Sequence, residues 1–440
     1  MQNSEVSMPA TPAAPGPPQV SNRSALLIVF LVVFIDLLGF GIVLPLLPRI
    51  AKLYVEKIMP GAEGQKSLAA GLIIGLLMAS FSLMQFIFAP VWGRISDRAG
   101  RRPILLLGLA GSVIFYFLFG WACHLPPESM AMTALVLFFV ARIGAGVAGA
   151  TIATAQAVIA DSTPPEKRKH GMALIGAAFG IGFTFGPLIG FGSMHFFPDH
   201  HESIGYTAAA LSMVALVLGY RLLPETRRFE TEPPLARRWL NFAGIGKALA
   251  SSSVGPVILT FFLATLGFAA FESTLSLLLD DSFQFKEGNS FLIFAYVGFV
   301  LMLTQGFLYR KLASRLSEVT FMAIGLVLMA SGVGALGGVT YLASQGSPLL
   351  WLLLLALTFA VIGFAFLTPS AQALISRRTD ANQQGEILGV NQSASAMARI
   401  LGPIFGNTLY SSTSTHLLPY VFAAALLLVM LPMIPRLRRG

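Results

Sequence analysis

Residues 93–103 read GRISDRAGRRP, a stretch in which Arg94, Arg98, Arg101 and Arg102 surround the single acid Asp97 between two long apolar runs. Such a cluster of charge cannot lie in hydrocarbon, so the chain must surface here between two membrane spans. The apolar runs on either side then have to be helices that cross the bilayer. This hinge is the unit around which the remaining sequence arranges itself.

Composition agrees. Hydrophobic residues make up 55% of the 440, charged residues only 11%, and the mean hydropathy is +0.75. A soluble globular domain does not have that balance. In a soluble chain the net charge of +9 would suggest nucleic acid, but in a membrane chain the bias of Lys and Arg toward cytoplasmic loops explains it, so no nucleic-acid partner is expected. Cys123 is the single cysteine, which excludes a disulfide framework, and no Cys and His pairs stand at metal-ligand spacing. Neither a metal nor another cofactor is expected.

Apolar runs near the length of about 20 residues that crosses a bilayer as helix fall at 25–48, 69–92, 103–122, 131–160, 171–193 and 205–223, then at 254–279, 290–309, 319–343, 349–375, 387–411 and 417–435. The expected fold is therefore an all-α membrane protein with twelve transmembrane helices. Residues 1–23, rich in Pro, Ala and Ser, read as a disordered cytoplasmic tail. The first span lacks a basic stretch before it and should remain uncleaved. Counting Lys and Arg in alternate connections gives 22 on one side and five on the other, namely Arg49, Lys52, Lys57, Lys66 and Lys286. Both termini are then cytoplasmic, in the cell (inner) membrane.

The two halves of the chain echo each other. Ala155-Gln156-Ala157 recurs as Ala371-Gln372-Ala373, and Gly186-Pro187 as Gly402-Pro403, both 216 residues apart; Gly93 recurs as Gly306 at an offset of 213. Duplication of a six-span unit is the mark of many secondary transporters. The division is an N-terminal six-helix bundle at 24–223, a cytoplasmic linker at 224–253 and a C-terminal six-helix bundle with a short basic tail at 254–440.

Asp36, Arg142, Glu272 and Arg399 are the ionisable residues placed well inside the spans. An intramembrane charge is costly and is a functional candidate by default, with a structural ion pair as the plainer reading. Asp36 and Arg142 stand at similar depth, as a carboxyl and a guanidinium that could exchange partnership for a proton. Glu272 is a second proton carrier, nearer the outer face, with Arg399 in the same half. Phe268 and Glu272 on span 7, Phe364 and Gln372 on span 10, Gln156 on span 4, Phe40 on span 1 and Gln392 on span 11 suit the wall of a cavity for an amphipathic organic ligand; ordinary helix packing explains such stripes equally well. Gly182, Gly186, Pro187, Gly402 and Pro403 supply bends and close approaches, hence helix hinges.

These residues resemble the major facilitator superfamily, specifically its twelve-span drug:proton antiporter branch, which includes tetracycline efflux proteins. The resemblance runs from Leu26 to Pro435. It rests on GRISDRAGRRP, on FIDLLGFGIVLPLLP around Asp36, on Arg142 with Gly146, and on Gly182, Gly186, Pro187 and Gly190. It implies two pseudo-symmetric bundles that rock about a central site. It makes Gly93 a close-packing site, and gives Asp97, Arg98, Gly100, Arg101 and Arg102 a charge network that locks the cytoplasmic gate, with Asp97 as that network's acid. The chain departs from the pattern at Phe191, where a second Gly is usual, and in GFLYRKLASRLS from Gly306, which lacks an acid matching Asp97.

The leading expectation is a monomeric, proton-coupled exporter of amphipathic organic compounds or drugs, working by alternating access with small-molecule substrate, protons and the lipid bilayer as its partners. A superfamily importer or facilitator of a sugar or organic acid is the alternative; a non-transporting membrane receptor or scaffold is another. Arg142 and Arg399 would favour anionic cargo and Asp36 and Glu272 cationic cargo, and the sequence leaves that balance open. No Ser, His and Asp set or phosphate-cradling loop supports an enzyme.

Overall fold

The computed structural model describes residues 23–61, 65–162, 168–226, 246, 249–379 and 384–435. The expected tail at 1–22, most of the linker and the final basic residues 436–440 lie outside the described residues. Among the described residues every regular element is helical, as hydrocarbon requires of a chain whose backbone groups must be satisfied internally. Nine helices among the described residues are long and apolar enough to cross a membrane. The other predicted spans, at 171–193, 387–411 and 417–435, fall on helices Arg168–Phe196, Gln384–Tyr410 and Leu418–Val429.

In chain order the elements are α1 (Arg23–Val43), α2 (Leu47–Ile58), α3 (Gln65–Ala99), α4 (Arg101–His124), α5 (Pro127–Ala148), α6 (Ile152–Ser162), α7 (Arg168–Phe196) and α8 (Glu202–Leu222). The second half continues with α9 (Gly255–Phe283), α10 (Glu287–Leu303), α11 (Tyr309–Leu312), α12 (Glu318–Ser344), α13 (Leu350–Arg377), α14 (Gln384–Tyr410) and α15 (Leu418–Val429). Elements α1 to α8 pack among themselves, as do α9 to α15; the two groups meet mainly where α3 lies against α14 and α7 against α10.

Three local departures from the expected spans have physical causes. The GRISDRA segment is helix rather than loop: α3 runs on to Ala99, and Gly100 alone breaks the chain, at φ 103°, before α4 begins. A side chain there would be strained, and a Cβ would also meet the Glu225 carboxylate. Pro45 ends the first span early, and the following α2 is amphipathic, burying Leu47, Ile50, Ala51, Tyr54 and Val55. The fourth span is broken by a short 3₁₀ turn, Gly149–Thr151, joining α5 to α6. Trp92 and Gln85 of α3 donate to the carbonyls of Val147 (2.8 Å) and Gly149 (3.2 Å) at that break, supplying partners where the regular helix ladder is interrupted.

The repeat read from the sequence is visible in the packing. Gly186 on α7 is pressed against Gly41 and Leu38 of α1, and its counterpart Gly402 on α14 against Leu266, Ala269 and Ala270 of α9. Gly182 meets Leu37 in the same seam. These glycines let backbones approach as only small residues can.

Candidate functional site

The charged connections define two ends. The basic end carries Arg94, Arg98, Arg101 and Arg102; the far end carries α2 and the turns at 197–201 and 284–286. Contact between the halves concentrates at the far end. Gly75 of α3 sits against Pro403 and Ile404 of α14, Gly71 against Asn407, and Ser67 bonds to the carbonyl of Ser411. The main hydrophobic core crosses between the halves, from Ile42 and Leu77 to Phe271 and Leu279, whereas a separate cluster at the basic end, with Val29, Leu105, Ile159 and Leu223, stays within the N-terminal half.

A charge latch closes the far end. Arg49 of α2 reaches across to Asp280 (3.0 Å), Glu287 (3.5 Å) and the carbonyl of Phe285 (2.7 Å). Lys52 pairs with Asp281, which also accepts from the Tyr410 hydroxyl at 3.0 Å. His201 Nε2 lies 2.6 Å from Glu287, and that bond raises the imidazole pKa above its ordinary value, against the smaller opposing effect of burial. None of these residues except Arg49 and Lys52 was singled out from the sequence, and those two only as minority bases. The signal was there in outline: four bases, Arg49, Lys52, Lys57 and Lys66, on one far-end connection and three acids, Asp280, Asp281 and Glu287, on another.

At the basic end the bonds are local. Arg101 is 6% exposed and holds Asp97 (2.6 Å), Asp161 (3.2 Å) and the Ser96 hydroxyl (2.7 Å). Glu225 caps α4, accepting from the backbone N–H groups of Arg101 (2.9 Å) and Arg102 (3.1 Å). In the C-terminal half Arg377 pairs with Glu318 and Arg378 donates to Ser253. Asp97 pairs with Arg101 as expected, but it is not the network's only acid: Asp161 and Glu225 join it, brought there by the ends of α6 and α8. The expected close packing at Gly93 is also absent in this conformation, since nothing lies within 4 Å of a Cβ built there or at Gly306. Arg98 stands exposed on the last turn of α3.

Mid-span, Arg142 is 3% exposed with its guanidinium over the rings of Phe81 (4.6 Å) and Phe40 (5.7 Å). Its Nε and Nη1 have no hydrogen-bond partner among the described residues. Phe40 also meets Phe183, 5.8 Å between ring centres, and Tyr116 lies against Gly39 in the same region. Asp36 stands one helical turn before Phe40 in α1; its side chain lies outside the described residues. In the other half Phe268 stacks on Phe364 with centroids 4.0 Å apart. Glu272, one turn beyond Phe268, and Arg399 act on each other electrostatically, although no ion pair joins them.

The accessible positions on α14 fall on two faces. Met397, Leu401 and Phe405 form an apolar one, suited to lipid, whereas Gly389, Gln392, Ala396 and Arg399 form a small and polar one. A guanidinium at mid-span cannot face hydrocarbon, so this second face opens on the space between the halves. Its accessibility ends at Gly402 and Pro403, where α3 and α9 close over it. Half-buried Gln372 and exposed Gln156 lie near the basic end of α13 and α6. Gln156 is 14 residues beyond Arg142, about 20 Å along a helix, so it lies toward the basic end and away from the aromatic residues around Arg142.

The profile of the Major Facilitator Superfamily matches residues 29–332 and 306–439. The chain belongs to the major facilitator superfamily. It is 30% identical over 424 residues to the class C tetracycline resistance protein of Escherichia coli, covering 96% of this chain and 98% of that one. Over 435 residues it is 28% identical to the human major facilitator superfamily domain-containing protein 10, covering 91% and 90%. Among solved structures it resembles the human organic anion transporter MFSD10 (TETRAN), with TM-score 0.65 and 25% identity over 95% of this chain and all of that one. The D-xylose–proton symporter, at TM-score 0.74 and 18% identity over 94% and 97%, shares the fold. The protein is a multi-pass membrane transporter of the tetracycline-efflux-like branch and not an enzyme.

Proposed function

We propose that this superfamily member is a monomeric, proton-coupled exporter of amphipathic organic compounds, built of twelve spans in two six-helix bundles. Residues 24–223 form the first, 254–440 the second, and the basic end with both termini faces the cytoplasm of the cell membrane. The observation that carries the reading is the asymmetry of contact: the halves are latched at the far end, while a polar face of α14 lies accessible from the basic end as far as Arg399. A cavity open on one side and sealed on the other is one of the two states that alternating access requires. Gly182, Gly186 and Pro187, with Gly402 and Pro403, lie in the seams where such rocking is absorbed.

Protons enter the scheme through carboxyl groups. Asp36 and Glu272 each stand in the same bundle as a mid-span arginine, and a guanidinium that never gives up its own charge decides whether a nearby carboxyl stays ionised. The aromatic groups at Phe40, Phe268 and Phe364 suit the apolar part of a substrate, and the tetracycline resistance relatives favour export. The test is to reconstitute the protein in liposomes with a proton gradient, add lipophilic cations, neutral drugs and organic anions, and follow lumenal pH. Substrate-triggered proton movement in the wild type, lost in Asp36→Asn, is expected. Solute equilibration without proton flux would point instead to a facilitator.

A further inference from the structure

Arg399 and Arg142 are the mid-span guanidiniums, and they are placed in opposite ways. Arg142 is sealed under two aromatic rings. Arg399 is solvent-accessible, on the polar face of α14 that ends at the Gly402 seal, and among the described residues no carboxylate, carbonyl or hydroxyl accepts from it. An arginine offers five donors in a rigid planar fork, carries its charge at every physiological pH, and matches a carboxylate or sulfonate oxygen pair. Holding such a group at mid-span with no acceptor is costly unless something arrives to use it.

Resting on the exporter reading above, we infer that Arg399 is the anion-binding subsite of the central cavity, and that the transported compounds are aromatic organic anions. The acidic group docks on the Arg399 fork. The aromatic body lies toward the half-buried ring of Phe364, already stacked on Phe268, and Gln392, exposed two turns toward the basic end on the same face, lines the approach. Glu272 is half-buried and stands outside ion-pair contact with Arg399, so it leaves that donor set unfilled. Among the described residues at this depth Arg142 is buried and Glu272 half-buried, so Arg399 is the accessible cation.

The test uses the full chain, with labelled hippurate and naphthalene-2-sulfonate as anionic probes and tetraphenylphosphonium as a cationic one. Binding is measured by equilibrium dialysis in detergent, and exchange in proteoliposomes. The wild type should bind at least one anion. Arg399→Gln should weaken that binding about tenfold to a hundredfold, the scale of a lost charge-assisted bond, and Arg399→Lys should restore part of it. Tetraphenylphosphonium binding should not fall in either variant. Anion binding unchanged within about twofold in Arg399→Gln, or absent from the wild type, overturns the subsite, as does an equal loss for anion and cation. Arg399-dependent binding without exchange would sink the exporter reading and leave the subsite standing; proton-linked exchange of the cation alone would do the reverse.

Discussion

At the basic end, the buried guanidinium of Arg101 is satisfied inside one half, by Asp97, Asp161 and Ser96. At the far end, the guanidinium of Arg49 is satisfied across the halves, by Asp280, Glu287 and the carbonyl of Phe285. Both are arginines at a membrane face with two carboxylates each, yet they act on different equilibria. The first set of bonds lies within the N-terminal half and would survive the proposed rocking, so it stabilises that half. In the alternating-access cycle proposed above, the second must break whenever the far end opens, so its free energy would enter directly into the balance between the two states.

The sharpest way to break this contrast is at Arg49. Arg49→Ala removes charge-assisted bonds worth about 1.5–3 kcal/mol, and the equilibrium should move toward the far-end-open state about tenfold to a hundredfold. A cysteine at Ser67, which bonds across the seam to Ser411, reports it through its rate of reaction with an impermeant maleimide in a Cys123→Ala background. An unchanged rate would mean that α3 and α14 hold the end shut without the latch. Asp161→Asn should behave oppositely. It leaves the Arg101 charge short of a carboxylate, costing about 1–3 kcal/mol of thermal stability, while the Ser67 position reacts at its wild-type rate. Asp97→Asn should cost less, because Arg101 keeps Asp161 and Ser96.

The finest distinction is pH. The bond to Glu287 raises the pKa of His201 in the latched state. Its contribution to closure is therefore complete below the ordinary imidazole value of about 6.5 and is lost as pH rises through the elevated one. Ser67 labelling, taken as a ratio to the His201→Gln variant, should rise a few-fold, on the order of 1 kcal/mol, from mildly acidic to alkaline pH. A flat ratio would leave the imidazole outside the latch.

Much of the architecture was legible in the chain. The apolar runs located the helices, because in hydrocarbon no other local structure satisfies the backbone. The offset of 216 residues that links Gly186 to Gly402 marked equivalent seams, because close helix contact demands small residues wherever the duplicated unit repeats it. Less was legible where tertiary contact rules. The helix that runs through Asp97 to Ala99 was read as a loop, since charge density signals exposure but does not by itself break a helix. Asp97 was read as belonging with Arg101, but two further partners were missed for another reason: Asp161 and Glu225 lie 60 and 124 residues away in sequence.

What the sequence determined by itself is what local chemistry can dictate: a helical membrane transporter, its internal duplication, and the intramembrane charges whose cost marks them out. What only the tertiary structure decided is which charges meet. Arg49 gains its partners 231 and 238 residues away, at Asp280 and Glu287, through the closing of one half on the other. Arg142 and Arg399, alike in the sequence as single bases within spans, become a sealed cation and an accessible one. Burial and pairing are properties of the space between helices, and that space exists only once the halves have packed.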